Sequence, residues 1–201
     1  MLKQKQQQLQ KLNEDMDTLC ACALKKTALN TVVGKGSANA KIMFIGEAPG
    51  KKEDEKGEPF IGAAGKFLSE LLATIDLKRE DIYITNVVKY RPPNNRDPLP
   101  QEVTDCWFWL QKQINFIDPI LIIPLGRYAL ERFVPGRKIS EDHGKAFRRD
   151  MDGIGRRVFY ALYHPAAALY NGSLRDTLIV DFARIPKIIK AIEEDINNNQ
   201  K

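Results

Sequence analysis

At 201 residues, 43% of them hydrophobic, the chain has material for one ordinary domain with its own core. The formal net charge of +5, with Arg and Lys concentrated over positions 127–157, suits a polyanionic partner without establishing one. No run is long and apolar enough for a membrane span, residues 1–12 lack a signal-peptide core, and three cysteines do not make a disulfide framework, so a cytoplasmic protein is expected.

Residues 1–18 pattern as a polar helix with Leu9, Leu12, Met16 and Leu19 on one stripe. The preferred reading is a solvated extension, followed by a domain over 19–196 and a polar tail over 197–201. From position 41 strand and helix patterns alternate. Residues 41–45 read as a buried strand, and 63–75 as a helix with Phe67, Leu68, Leu71, Leu72 and Ile75 at helical spacing. A β-branched strand over 82–88 and a proline-rich loop over 91–100 come next. A helix over 101–116 follows, with Val103, Trp107, Leu110 and Ile114 inward. Residues 119–125 read as a third strand, 126–133 as a short helix and 157–163 as a fourth strand. Ser173 is expected to cap a closing helix that runs to Ile196. Strands separated by helices pair in parallel through right-handed crossovers. The expected fold class is therefore α/β: a three-layer αβα sandwich around a mostly parallel, four-stranded sheet.

Two strand ends carry chemistry. Gly46-Glu47-Ala48-Pro49-Gly50 follows an apolar run and sets a carboxylate beside exposed backbone amides, at the edge where α/β folds bind ligands. Far downstream, Tyr163-His164-Pro165-Ala166-Ala167 closes another apolar run. A phosphate-binding NTPase is disfavoured, because no Gly-Lys-Ser/Thr follows Gly50.

The string from Gly46 to Asp54, with Gly57-Glu58-Pro59-Phe60-Ile61-Gly62 and Ala64-Gly65, resembles the first motif of the family-four uracil-DNA glycosylases. Asn86-Val87-Val88-Lys89-Tyr90-Arg91-Pro92-Pro93, with Asn95-Arg96, resembles the second block, and His164-Pro165-Ala166-Ala167 the third. The resemblance spans residues 24–189 in order. It implies a monomeric, monofunctional enzyme on uracil-containing DNA, single- or double-stranded, that flips the nucleotide out and releases uracil. It also implies roles. Gly46 and Ala48 line the uracil pocket and Phe60 is its aromatic platform. Asn86 reads N3–H and O4 through its carboxamide, leaving cytosine mismatched. His164 donates to uracil O2 as the anion develops, and Glu47 positions water and favours the cationic sugar. Lys89, Arg91 and Arg96 grip phosphates or are simply solvated. Leu169 and Tyr170 fill the gap left by the flipped base, or pack beneath the closing helix. His143 reads as a loop residue near the DNA. The competing readings are a core Phe60 and a turn-capping Asn86. For the whole chain they are a DNA-binding module without turnover and a glycosylase of broader base choice.

Many members of that family hold a structural [4Fe-4S] cluster on four cysteines. Here Cys22 and Cys106 match two ligand positions, Leu19 and Tyr90 stand at the other two, and Cys20 lies one residue from the first. No cofactor is required for the chemistry. Loss of the cluster, with Leu19, Tyr90 and Trp107 packing in its place, is favoured over a labile one on three thiolates. Residues 93–100 contain no histidine, so the covalent trapping of the sugar seen in some relatives is not expected.

Overall fold

The computed structural model describes residues 2–199. Helix α1 (Leu2–Leu19) and the two-residue strand β1 (Lys35–Gly36) precede the fully buried β2 (Ile42–Gly46). The short α2 (Lys51–Lys56) and α3 (Ala63–Ala73) lead to β3 (Tyr83–Asn86), and α4 (Pro100–Ile117) leads to β4 (Leu121–Pro124). Next come α5 (Gly126–Phe133), α6 (Ile139–Asp142) and the hairpin of β5 (Ala146–Met151) and β6 (Gly155–Tyr160). The chain closes with α7 (Ala167–Tyr170), α8 (Ser173–Phe182) and α9 (Ile185–Asn199).

The strands form one sheet in the order β1-β3-β2-β4-β6-β5. Its centre, β3-β2-β4-β6, is parallel throughout, and both edge strands run antiparallel to their neighbours. Side chains alternate between faces along each strand. Met43, Ile45, Ile122 and Phe159 meet α1, α4 and α5 on one face. Phe44, Ile84, Ile123 and Tyr160 meet α3, α8 and α9 on the other. Helices cover both faces, which gives three layers.

Three expectations are corrected. The sheet has six strands rather than four. β1 is too short to show periodicity, and Ala-Phe-Arg-Arg-Asp-Met in β5 is a polar edge with only Phe147 and Met151 partly covered. Its signal was Asp152-Gly153, which turns the hairpin with Gly153 at φ +79. The closing helix is two helices, and Ser173 does not cap it: Asn171 Oδ1 accepts from the Ser173 N–H at 3.1 Å and its hydroxyl at 2.8 Å.

The third correction concerns α1, which lies on the body instead of standing in solvent. Leu9 and Met16 are buried in the core, and only Leu19 turns outward, 67% exposed. Two of the helix's amides also tie it to the body. Gln6 Nε2 donates to Gly36 O at 3.3 Å and Gln6 Oε1 accepts from the Ala38 N–H at 2.9 Å, which covers the open side of β1. Asn13 reaches the Tyr83 hydroxyl and Gln113. In urea titrations Leu9→Ala and Met16→Ala should each lower stability by about 2–5 kcal/mol, the cost of a core truncation. Leu19→Ala should stay within about 0.5 kcal/mol. Three equally small effects would return α1 to a free extension.

Candidate active site at the carboxyl edge of the sheet

From β2 the chain passes through α3 to β3 on one side. It then returns through α4, on the opposite face, to β4 on the other side. Such a reversal opens a crevice beyond the carboxyl ends of the strands. Backbone pairing continues past the strands into this crevice. Val87 N–H donates to Gly46 O (2.9 Å), Val88 N–H to Glu47 O (3.1 Å) and Gly126 N–H to Leu162 O (2.8 Å). The segments that carry Glu47, Asn86 and His164 are thus fixed by the sheet itself.

Asn86 ends β3 and is 1% exposed, and its Oδ1 has no hydrogen-bond partner. A desolvated acceptor left open costs about 1–3 kcal/mol, which a donor on a ligand would recover. Its close approach to β2 is possible because position 46 is glycine. A Cβ there would lie 2.4 Å from Asn86 Oδ1 and 2.8 Å from the Phe60 ring. Phe60 is itself buried, and its ring stacks on His164 with centroids 5.3 Å apart and planes 29° from parallel. Gly46, Phe60, Asn86 and His164 therefore lie together at the carboxyl edge of the sheet, with Ala48 partly covered on the turn after Gly46.

His164 Nδ1 accepts a hydrogen bond from the Ala166 N–H at 3.1 Å. In the neutral ring this leaves the proton on Nε2, so that edge is a donor. Burial pulls the His164 pKa down to about 4, against a weaker opposing effect of Glu53, so the ring is neutral near pH 7. A neutral imidazole that donates suits a developing anion. Glu47 shows the opposite shift. Burial first, then the Asp97 carboxylate, raise it to about 7, while Arg127 works the other way. A cavity of about 50 Å³ adjoins it, lined by Val87, Pro98, Val103, Tyr128 and Arg132. That is more than the volume a water needs.

Of the residues expected at the DNA, Lys89 is corrected. It is fully buried, and Nζ donates to Thr85 Oγ1 (2.6 Å), Asn86 O (2.8 Å) and Gln113 Oε1 (2.8 Å). An ammonium has three donors, so none remains for a phosphate. Burial lowers its pKa to about 7. Its place is under the site, where it holds the Asn86 carbonyl. Arg96 is committed as well, in a fork on Glu102 at 2.6 and 2.8 Å. Arg91 Nε donates to Asn95 Oδ1 at 2.7 Å and keeps part of its surface. Leu169 and Tyr170, on α7, are 47% and 93% exposed, so neither packs beneath the closing helices. His143 follows α6, pairs with the buried Asp181 at 2.7 Å and stacks on Tyr163. Sequence reasoning passed over Glu53 and Arg79, which hydrogen-bond the backbone around Phe60. Glu53 lies inside the Gly46–Asp54 string but was given no role there, and nothing local marks Arg79.

Cys20, Cys22 and Cys106 are all buried in one core. The influence of Cys106, against the opposing effect of burial, lowers Cys20 to about 6, and Cys20 and Cys22 push Cys106 up. Tyr90 lies beside them, its buried hydroxyl unpartnered. Among the described residues no group of three or more His, Cys, Asp or Glu is arranged to hold a metal ion. A cubane cluster takes four thiolates and holds their sulfurs apart around it. Three thiols and a phenol fall one thiolate short of that set. Trp107 packs on this core with Arg132 stacked over it at 3.8 Å, but Leu19 points to solvent and has no part in the packing expected of it.

The profile of the Uracil DNA glycosylase superfamily matches residues 33–184. The chain is 48% identical over 173 residues to the type-4 uracil-DNA glycosylase of Archaeoglobus fulgidus, an alignment covering 83% of this chain and 86% of that protein. With the type-4 enzyme of Thermotoga maritima it shares 41% over 181 residues, covering 89% and 93%. With that of Sulfurisphaera tokodaii the figures are 42% over 186 residues, 90% and 84%. The match takes in every strand of the sheet and all three motif segments that converge on the crevice. This chain belongs to the uracil-DNA glycosylase superfamily.

Proposed function

We propose that the chain is a monofunctional DNA-repair glycosylase that hydrolyses the N-glycosidic bond of deoxyuridine, releasing uracil and leaving an abasic site. The observation that carries this reading is the buried, unpartnered Asn86 Oδ1 close against Gly46 and the Phe60 ring. Uracil N3–H is a donor that would satisfy this oxygen, and the amide nitrogen would then meet O4. Cytosine presents an acceptor at N3 and would leave both groups unpaired. Ring stacking on Phe60 supplies affinity without sequence information.

In the reaction the C1′–N1 bond breaks with its electron pair going to uracil, so charge grows on O2 while the sugar becomes cationic. His164 Nε2–H donates to that oxygen, an interaction stronger in the transition state than in the bound substrate. Ionised Glu47 stabilises the sugar cation and orients the water that adds to C1′. Exposed Leu169 and Tyr170 are suited to enter the gap in the stack, and Arg91 to touch a phosphate. Turnover without a covalent adduct follows from the lack of histidine over 93–100. The enzyme acts as a cytoplasmic monomer on single- or double-stranded DNA. None of the described helices is long and apolar enough to cross a membrane. The cysteine region works without a cluster, as three thiols with Tyr90 in the fourth place suggest.

Uracil release from a labelled oligonucleotide in single turnover tests the main reading. Asn86→Ala and His164→Ala should each slow it by about 10²–10³-fold. Folded wild type that binds DNA and releases nothing would leave a binding module. The rate should rise with pH through about 7 as Glu47 ionises, with His164 neutral throughout, and Glu47→Gln should remove that inflection. The folded pKa of Glu47 lies above its ordinary 4.5, so the folded state holds the extra proton between those values and loses that advantage as pH rises. Glu47→Gln should therefore raise Tm more at pH 8 than at pH 5. Iron and sulfide analysis of anaerobically purified protein should find no stoichiometric cluster; a full one would overturn the cluster-free reading.

A further inference from the structure

Phe60 occupies the left-handed region, with φ +53. A bulky side chain rarely adopts that conformation, and it persists only where the surroundings over-determine it. Two charged side chains do so here. From one side, Glu53 Oε1 accepts from the Ile61 N–H at 3.0 Å and the Gly62 N–H at 2.9 Å. From the other, Arg79 donates through Nη1 to Phe60 O at 3.1 Å and through Nη2 to Pro59 O at 2.8 Å. Behind the turn stands α3, where a Cβ on Gly65 would lie 1.7 Å from Phe60 O. Only a glycine allows so close a backing. The carbonyls before the ring and the amides after it are thus each held by an ionised partner, the stronger kind of hydrogen bond.

We propose that Glu53 and Arg79 are positioning residues for base recognition. They act as a two-sided clamp that holds the Phe60 ring at one depth and tilt opposite Asn86. Neither touches the base; both act through the turn. The clamp fixes the separation between the aromatic platform and the Asn86 carboxamide, so it governs how well uracil is told from other bases. Affinity for the DNA backbone lies outside its reach. The inference rests on the reading of Phe60 as the platform.

The test is the ratio of affinities for one duplex carrying either a cleavage-resistant 2′-fluoro-deoxyuridine or thymidine at the same position. Both constants come from one preparation, so a reduced folded fraction cancels. Phe60→Ala tests the platform and should abolish most of the preference. Glu53→Ala and Arg79→Ala should each reduce it by about tenfold, the order expected for charge-assisted hydrogen bonds. Affinity for the thymidine duplex should not change. Glu53→Gln keeps an acceptor oxygen and should restore most of the preference. The double variant should resemble either single one, since both act on the same turn. Arg79 is only half-buried, so Arg79→Ala carries the same expectation should Glu53→Ala fail to fold. Loss of preference in Phe60→Ala together with wild-type preference in Arg79→Ala and Glu53→Gln/Arg79→Ala overturns the clamp alone. Preference intact in Phe60→Ala overturns the platform reading, and the clamp falls with it.

Discussion

A side chain at position 46 would come within 2.4 Å of Asn86 Oδ1 and 2.8 Å of the Phe60 ring. The site is the place where this glycine lets the Asn86 side chain and the Phe60 ring close on the end of β2. Its position follows from sheet topology. β2 and β3 are parallel neighbours in register, Gly46 opposite Asn86, so both strand ends reach the same edge. The next residue, Glu47, is held by Val88, two residues beyond Asn86. Glycine, reader and acid are therefore placed by backbone pairing, and their relative geometry does not depend on flexible loops.

Around that site the protein tolerates several groups that burial disfavours. Asn86 keeps an unpaired oxygen, Glu47 is raised to about 7, and His164 is lowered to about 4. Each is more costly in the free protein than a paired counterpart, and each becomes useful when a base and a sugar cation arrive. Support comes from below. Lys89 spends all its donors on Thr85, Asn86 and Gln113, and Gln113 continues to Asn13, Val33 and Tyr83. A polar chain thus runs from α1 to the Asn86 carbonyl, and every link has a partner, as a buried network must. This gives α1 a structural role that its composition conceals.

The thiol region belongs to the core. Cys20, Cys22, Cys106, Tyr90 and Trp107 pack against α1 and α4. The region's distance along the sheet from the site is bridged by Lys89, which precedes Tyr90 in sequence and bonds Asn86 O. The two regions share a backbone segment.

The central strands were legible because β2 and β4 are short apolar runs bounded by turn residues, and β3 and the end of β6 carry such runs too, a local signal. The motif residues were legible because glycine, acid, amide and histidine stand at strand ends in a recognisable order. Lys89 could not be placed that way. Beside Arg91 and Arg96 it reads as one more surface cation, and only the closing of α4 over β3 buries it. The edge strands, the packing of α1 and the pairing of Glu53 and Arg79 with the Phe60 turn escaped for the same reason. Gln6 meets Gly36 across 30 positions, and Arg79 meets Pro59 across 20. Sequence alone determined the parallel αβα core and the chemical groups at its carboxyl edge, since both rest on local pattern. Tertiary structure decided which charges are free and which are spent, because desolvation and hydrogen-bond partners arise only when distant segments meet.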